Sequence, residues 1–191
     1  KKKLGGLKII KLYNEKLLIQ KAIHNSREAQ QHLFTKYSPK MLGVCRQYVK
    51  DLQHAEDLLL SGFLKVFTNL SQFKHEGSFE GWIRRIMVNT CISYLRKKNL
   101  VMLSDDDFIF NDAATDSLEN TSVEDIQSLI DKLPEGYKMV FNLFAIEGFK
   151  HTEIAIKLGV SESTSKTQLF RARKLLQENY IKMNKTIHEK K

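Results

Sequence analysis

Apolar residues recur at three- and four-residue spacing along nearly the whole chain, and no stretch alternates convincingly with period two. The pattern predicts an all-α protein. Helices are expected at roughly 14–24, 27–37, 39–50, 53–69 and 78–98, then at 122–132, 135–147, 151–158 and 162–180. Pro39 and Pro134 each stand where a first helical turn would begin, a place where the missing N–H is not needed. Gly148 and Gly159 stand where helices should stop. With only 2 Pro and 9 Gly in 191 residues, little interrupts the rest.

Asn99 to Thr121 breaks the periodicity. It carries Asp105, Asp106, Asp107, Asp112, Asp116 and Glu119 with no Lys or Arg, so it cannot bury much surface and is expected to be a flexible or extended linker. The expected organisation is therefore an N-terminal helical domain at 1–98, an acidic linker at 99–121 and a C-terminal helical domain at 122–185. Charge follows the same division. Residues 1–98 hold 19 basic and 7 acidic side chains, 99–131 hold none and 9, and 132–191 hold 12 and 6. Two basic bodies flank an acidic stretch, and basic bodies favour polyanions through counterion release. Lysine-rich solubility would explain the net charge of +9 equally well, so charge alone selects no partner.

Cys45 and Cys91 stand far apart, without a Cys-x-x-Cys or a clustered His, which argues against a structural zinc site and for buried, reduced thiols. No run of eighteen apolar residues exists, and the Lys-rich start lacks a signal-peptide pattern. A cytoplasmic protein with no direct membrane insertion is expected. The first residue is not Met, which implies that the first residues are incomplete or processed.

The sharpest local signal lies in the second domain. His151 to Leu158, then Gly159-Val160-Ser161, then Glu162 to Leu176 reads as helix, tight turn, helix. Ala155 is small where the helices approach, Gly159 suits a left-handed turn and Ser161 suits a helix N-cap. Leu169, Ala172 and Leu176 define one face of the second helix, leaving Ser163, Thr164, Thr167, Arg171 and Lys174 on the other. Hydroxyls and cations on one helical face suit a DNA major groove and its phosphates. By helical phase Thr164, Thr167, Gln168 and Arg171 are expected at or beside base edges, with Lys166, Arg173 and Lys174 on phosphates.

In the first domain, Phe79, Trp82, Ile83, Ile86 and Thr90 share one side of a helix, while Arg85, Asn89 and Arg96 form a separate stripe beside Trp82 and Ser93. Cations for phosphate, an amide for a base and a ring for stacking are what DNA contact requires. Core packing is an equally natural use of Trp82. The preceding segment, Ser71 to Ser78, mixes Phe73 with Lys74, His75 and Ser78, and is open to two readings, a cradle for an unstacked base or a plain surface loop. One helix earlier, Phe63, Val66, Phe67 and Leu70 form a core stripe, whereas Leu60 and Leu64 lie on another side, as for a partner helix or a wider core stripe.

Together these segments resemble the extracytoplasmic-function sigma factors of bacterial RNA polymerase, the small two-domain members of the sigma-70 superfamily. The first-domain carriers are His54-Ala-Glu-Asp57, Gly62-Phe-Leu-Lys-Val-Phe67, Phe79-x-x-Trp82-Ile-x-x-Ile86-x-x-Asn89 and Leu95-Arg96-Lys97. The second-domain carriers are Leu133-Pro134, Glu153-Ile-Ala155, Leu158-Gly-Val-Ser-Glu162, Thr164-x-Lys166 and Arg171-Ala-Arg173-Lys174-Leu175. The resemblance implies a promoter-specificity subunit without catalytic residues, metal or cofactor. Its partners would be core RNA polymerase, promoter DNA and, in some members, an anti-sigma factor. It further implies that Phe73, Lys74, His75, Ser78, Trp82, Arg85, Asn89 and Arg96 recognise and melt the minus-ten element. Ser163, Thr164, Lys166, Thr167, Gln168, Arg171, Arg173 and Lys174 would read the minus-thirty-five element, and Asp57, Leu60, Ser61 and Leu64 would meet the polymerase clamp. The linker would follow a basic channel of the polymerase.

Four residues at three sites depart from the family pattern. Leu60-Ser61 replaces a Gln followed by an acid, Ser93 replaces a common Asp, and Ser165 replaces an aliphatic residue near the buried face, which is expected to loosen packing by about 1 kcal/mol if the site is buried. Two other function classes remain to be weighed. One is a free-standing helix-turn-helix repressor or activator. The other is an enzyme in which Asp105, Asp106 and Asp107 bind a divalent metal, although consecutive carboxylates on a linker lack the ordered outer shell such sites need.

Overall fold

The structure, a computed structural model, describes residues 14–97 and 123–188. Among these residues every regular element is helical: α1 (Glu15–Ile23), α2 (Arg27–Tyr48), α3 (Leu52–Thr68), α4 (Phe79–Lys97), α5 (Val123–Asp131), α6 (Glu135–Phe141), α7 (His151–Leu158) and α8 (Glu162–His188). A 3-10 turn at Leu70–Gln72 follows α3, and a π turn at Asn142–Ile146 continues α6. The acidic segment, including Asp105 to Asp107, lies outside the described residues.

Polar caps start the helices of the first domain. Asn14, Ser26 and Asp51 each accept a backbone N–H from the first turn of α1, α2 and α3, and Ser78 accepts from Gly81 N at 3.0 Å to start α4. Helices α2, α3 and α4 then close around Leu33, Met41, Phe63, Val66, Ile83 and Met87, with Phe34 set edge-on to Phe63 at 4.7 Å. Gly62 permits the approach of α3 to α4, since a Cβ there would fall 2.2 Å from the Met87 sulfur.

The expected break at Pro39 does not occur. α2 runs through it because Ala29, Leu33, Tyr37, Met41, Val44, Cys45 and Tyr48 form one buried stripe on both sides of the proline. Thr35 and Pro39 are both exposed, so water can satisfy the carbonyl that the ring leaves without a donor. The last helix also differs from expectation, extending to His188 rather than ending near 180.

In the second domain α5 and α6 are joined by an ion pair from the buried Lys138 to Asp131, 2.9 Å apart. α6, α7 and α8 enclose Met139, Val140, Leu143, Ile154, Leu158 and Leu169. These residues belong to the same apolar cluster as the first-domain core, so the second domain is docked on the first. Cys45 and Cys91 are buried and free.

Candidate nucleic-acid interface

The α7–turn–α8 unit is closed by local chemistry. Gly159 ends α7 at φ 72, a left-handed conformation that costs glycine nothing, and its N–H donates to the Ala155 carbonyl at 2.8 Å. Ser161 Oγ accepts from Thr164 N at 2.9 Å and begins α8. Val160, half-buried, packs against the core between them.

α8 buries Ser165, Gln168, Leu169 and Ala172 and exposes Ser163, Lys166, Thr167, Phe170 and Arg173. Two expectations are thereby corrected. Gln168 is 2% exposed and faces the domain interior, so it is no base reader in this fold. Arg171 and Thr164 are half-buried on one flank, and Thr164 Oγ1 is engaged with Ser161 Oγ at 2.7 Å, whereas Lys166 and Arg173 stand on the outer face. The face drawn through Leu169, Ala172 and Leu176 left out Ser165 and Gln168, which also fill the buried side. Lys166 pairs with Glu162 at 2.7 Å, and its ammonium holds that carboxyl below the usual carboxylate range. Both side chains are solvent-exposed, so the pair is screened and adds little to stability. Arg173 lies over the Phe144 ring at 5.6 Å. Phe170, 45% exposed on the same face, was not singled out from the sequence, although its three-residue spacing from Thr167 placed it there.

Ser165 meets a polar partner. It is fully buried, and its hydroxyl lies 2.9 Å from His151 Nδ1, so the polar atom is satisfied.

The first domain presents a second polar surface. Lys74, His75 and Ser78 are exposed on the loop before α4, and His75 holds φ 59, which a non-glycine residue rarely adopts. Phe73 is corrected: it is 8% exposed and packs under the loop against His75, Phe79 and Trp82 at 4.7, 5.1 and 5.5 Å, so its ring does not stand free for a base. Trp82 is half-buried, stacked on Phe79 at 5.8 Å and 17°, which makes it part of the core and part of the surface at once. Arg85, Asn89, Ser93 and Arg96 are exposed along α4. Asn89 and Arg96 nonetheless touch the second domain: Asn89 Oδ1 accepts from Lys157 Nζ at 3.0 Å, and Arg96 Nη1 donates to the Lys157 carbonyl at 3.3 Å.

On α3, Asp57, Leu60, Ser61 and Leu64 are all exposed, the two leucines by 58% and 67%, opposite the buried Phe63 and Val66. Leu52, at 52%, is also exposed, two turns earlier and separated from Leu60 by the exposed Glu56. No group of three or more His, Cys, Asp or Glu able to hold a metal occurs among the described residues, and none of their helices is long and apolar enough to cross a membrane.

Comparison with known proteins gives these surfaces their setting. The model of sigma-70 region 2 matches residues 33–100, and that of sigma-70 region 4 matches 123–176. The RNA polymerase sigma factor SigZ of Bacillus subtilis is 34% identical over 133 residues, covering 68% of this chain and 74% of that protein. The chain belongs to the sigma-70 family. Further relatives are of the same kind. The sigma-H factor of Pseudomonas aeruginosa is 27% identical over 173 residues, 83% of this chain and 90% of its own length. The extracytoplasmic-function sigma factor SigW of Bacillus subtilis is 28% identical over 182, with 85% and 96% coverage. Among solved structures, the sigma factor RpoE bound to the anti-sigma factor NepR from Bartonella quintana aligns at 23% identity, over 78% of this chain and 94% of that one, with a TM-score of 0.48. As a sigma factor the chain binds core RNA polymerase and directs promoter-specific initiation, and the reading as a free-standing regulator is set aside.

Proposed function

We propose that this sigma factor reads its promoter with two surfaces and meets the polymerase with a third. The outer face of α8 carries the proposal: a helix aimed by the Gly159 turn and the Ser161 cap presents Ser163, Lys166, Thr167 and Arg173 together. Hydroxyls and cations on one exposed face suit the major groove of the upstream element. Thr167, at the centre of the face, is the reader of base edges, while Lys166, Arg173 and the half-buried Arg171 and Lys174 hold phosphates.

The Lys74–Ser78 loop and the Trp82, Arg85, Asn89, Arg96 stripe of α4 serve the downstream element, where strands separate. Asp57, Leu60, Ser61 and Leu64 on α3 form the polymerase-docking strip. The acidic linker compensates a basic channel of the polymerase. The protein acts in the cytoplasm, performs no chemistry of its own and is open to control by an anti-sigma factor. Run-off transcription with core polymerase and genomic DNA, repeated with Thr167→Ala, tests the proposal. Discrete transcripts that shift or vanish for some promoters in the variant support it, and uniform loss across promoters removes the reader role of Thr167.

A further inference from the structure

A cleft of about 890 Å³ lies between the C-terminal half of α2 and α5, so each domain supplies one of its walls. Small-molecule sites occupy roughly 300–1,000 Å³, and the cleft falls in that range. Its charge is one-sided. Lys40, Arg46, Lys50, Arg84 and Lys132 line it against a single acid, Asp131. Part of this charge is already answered: Lys40 pairs with Glu80 at 2.5 Å, Arg84 with Glu147 at 2.6 Å, and Asp131 with the buried Lys138 at 2.9 Å. Arg46, Lys50 and Lys132 meet no carboxylate among the described residues. Arg46 Nη1 donates to the Lys50 carbonyl, which keeps the guanidinium at the end of α2 beside that lysine. Three unanswered cations, two on one wall and one on the other, favour an anion between them.

The floor of the cleft has a different character. Pro39, Gly43 and Gln47 follow one another at i, i+4 and i+8 along α2, with Val44 beside them. A Cβ on Gly43 would meet no atom within 4 Å, so packing does not demand a glycine there, although glycine weakens a helix interior relative to alanine. What its missing side chain does leave is room over Pro39 and Val44 for a planar ring. The floor is also fixed, because the Gln47 carbonyl accepts from Asn142 Nδ2 at 2.8 Å and the Gln47 amide lies 3.5 Å from Arg84 Nη2. We propose that the cleft binds a nucleoside polyphosphate, its base on the Pro39, Gly43 and Val44 floor and its phosphates among Arg46, Lys50 and Lys132. An inorganic polyanion would use the cations and leave the floor empty. Because the walls belong to different domains, a bound ligand and separation of the domains oppose one another.

The test uses the full chain without polymerase and ATP carrying a fluorescent methylanthraniloyl group on its ribose. Anisotropy should report saturable binding that unlabelled ATP displaces, inorganic tripolyphosphate displaces more weakly and adenosine leaves in place at equal concentrations. Lys50→Glu and Lys132→Glu, one in each wall, should each weaken ATP by about ten-fold or more, the size expected for the loss of a hydrogen bond between charged groups. Lys21→Glu makes the same charge change on α1, outside the cleft, and should leave affinity within about two-fold because intervening solvent screens it. Gly43→Leu fills the floor and should bring ATP down to the affinity of tripolyphosphate while leaving tripolyphosphate unchanged. All four positions are exposed, so circular dichroism should show native helicity in each variant. Absence of displaceable binding, or equal weakening by Lys21→Glu, overturns the site. Weakening by Lys166→Glu alone would place the ATP on the outer face of α8 and overturn it too. Tripolyphosphate as tight as ATP on the wild-type protein, or Gly43→Leu without effect, overturns the nucleoside as ligand.

Discussion

His151 at the start of α7 and Ser165 on the buried face of α8 are joined at 2.9 Å, so the two helices of the helix-turn-helix unit share a polar contact at their seam. Removing either partner leaves the other without its bond at the seam. His151→Ala and Ser165→Ala should each cost about 1 kcal/mol of stability, and the double variant less than their sum. Strict additivity in thermal or urea melts would show that the contact carries no energy.

The same imidazole is held below its ordinary pKa, first by burial and then by the Lys166 and Arg173 charges, with Glu162 opposing. Other groups facing it are the Phe144 ring and the Ser165 hydroxyl. A histidine depressed in the folded state takes up its proton more readily when unfolded, so stability rises with pH. The contribution is complete above the unfolded value near 6.5 and is lost as pH falls through the lowered folded value. The melting temperature should fall as pH drops below about 6.5 in wild type and fall less in His151→Gln. Equal pH dependence in both proteins would assign the effect elsewhere.

Gly62 sets the spacing of α3 and α4. Gly62→Ala would drive a methyl group into Met87, which is itself fully buried, and should destabilise the first domain by about 1–3 kcal/mol. Met87→Val, which removes the obstructing sulfur, should recover part of the loss when combined with it. A neutral Gly62→Ala melt would mean that Met87 finds another rotamer.

Leu60→Lys with Leu64→Lys should leave helicity and melting within about 0.5 kcal/mol of wild type, because both side chains already face solvent. Binding to core polymerase, measured by native gel or calorimetry, should weaken severalfold or more. Loss of fold would return the two leucines to the core, and unchanged binding would move the docking strip elsewhere on the first domain.

What the sequence disclosed follows the range of the interactions involved. Gly159, Ser161 and the start of α6 at Pro134 obey rules that act within one turn, and these boundaries were predictable. Pro39 was misread because its local preference for a helix start is overridden by a buried stripe extending from Ala29 to Tyr48. Gln168 and Phe73 were misplaced for a related reason. Polarity suggested exposure for Gln168 and loop position suggested it for Phe73, but burial was decided by neighbours distant in sequence. The Arg84–Glu147 and Asn142–Gln47 contacts join residues 63 and 95 positions apart, and no spacing rule connects them.

The measurement that bears most directly on the account is promoter-selective transcription by core RNA polymerase supplied with this protein. Run-off assays across genomic fragments should give transcripts with discrete starts only when the protein is present. Thr167→Ala should alter which promoters fire, whereas Lys166→Ala should weaken all of them alike and reduce the salt dependence of binding by about one counterion. Tight, sequence-specific duplex binding by the protein alone, with no protein-dependent transcripts from core polymerase, would contradict it.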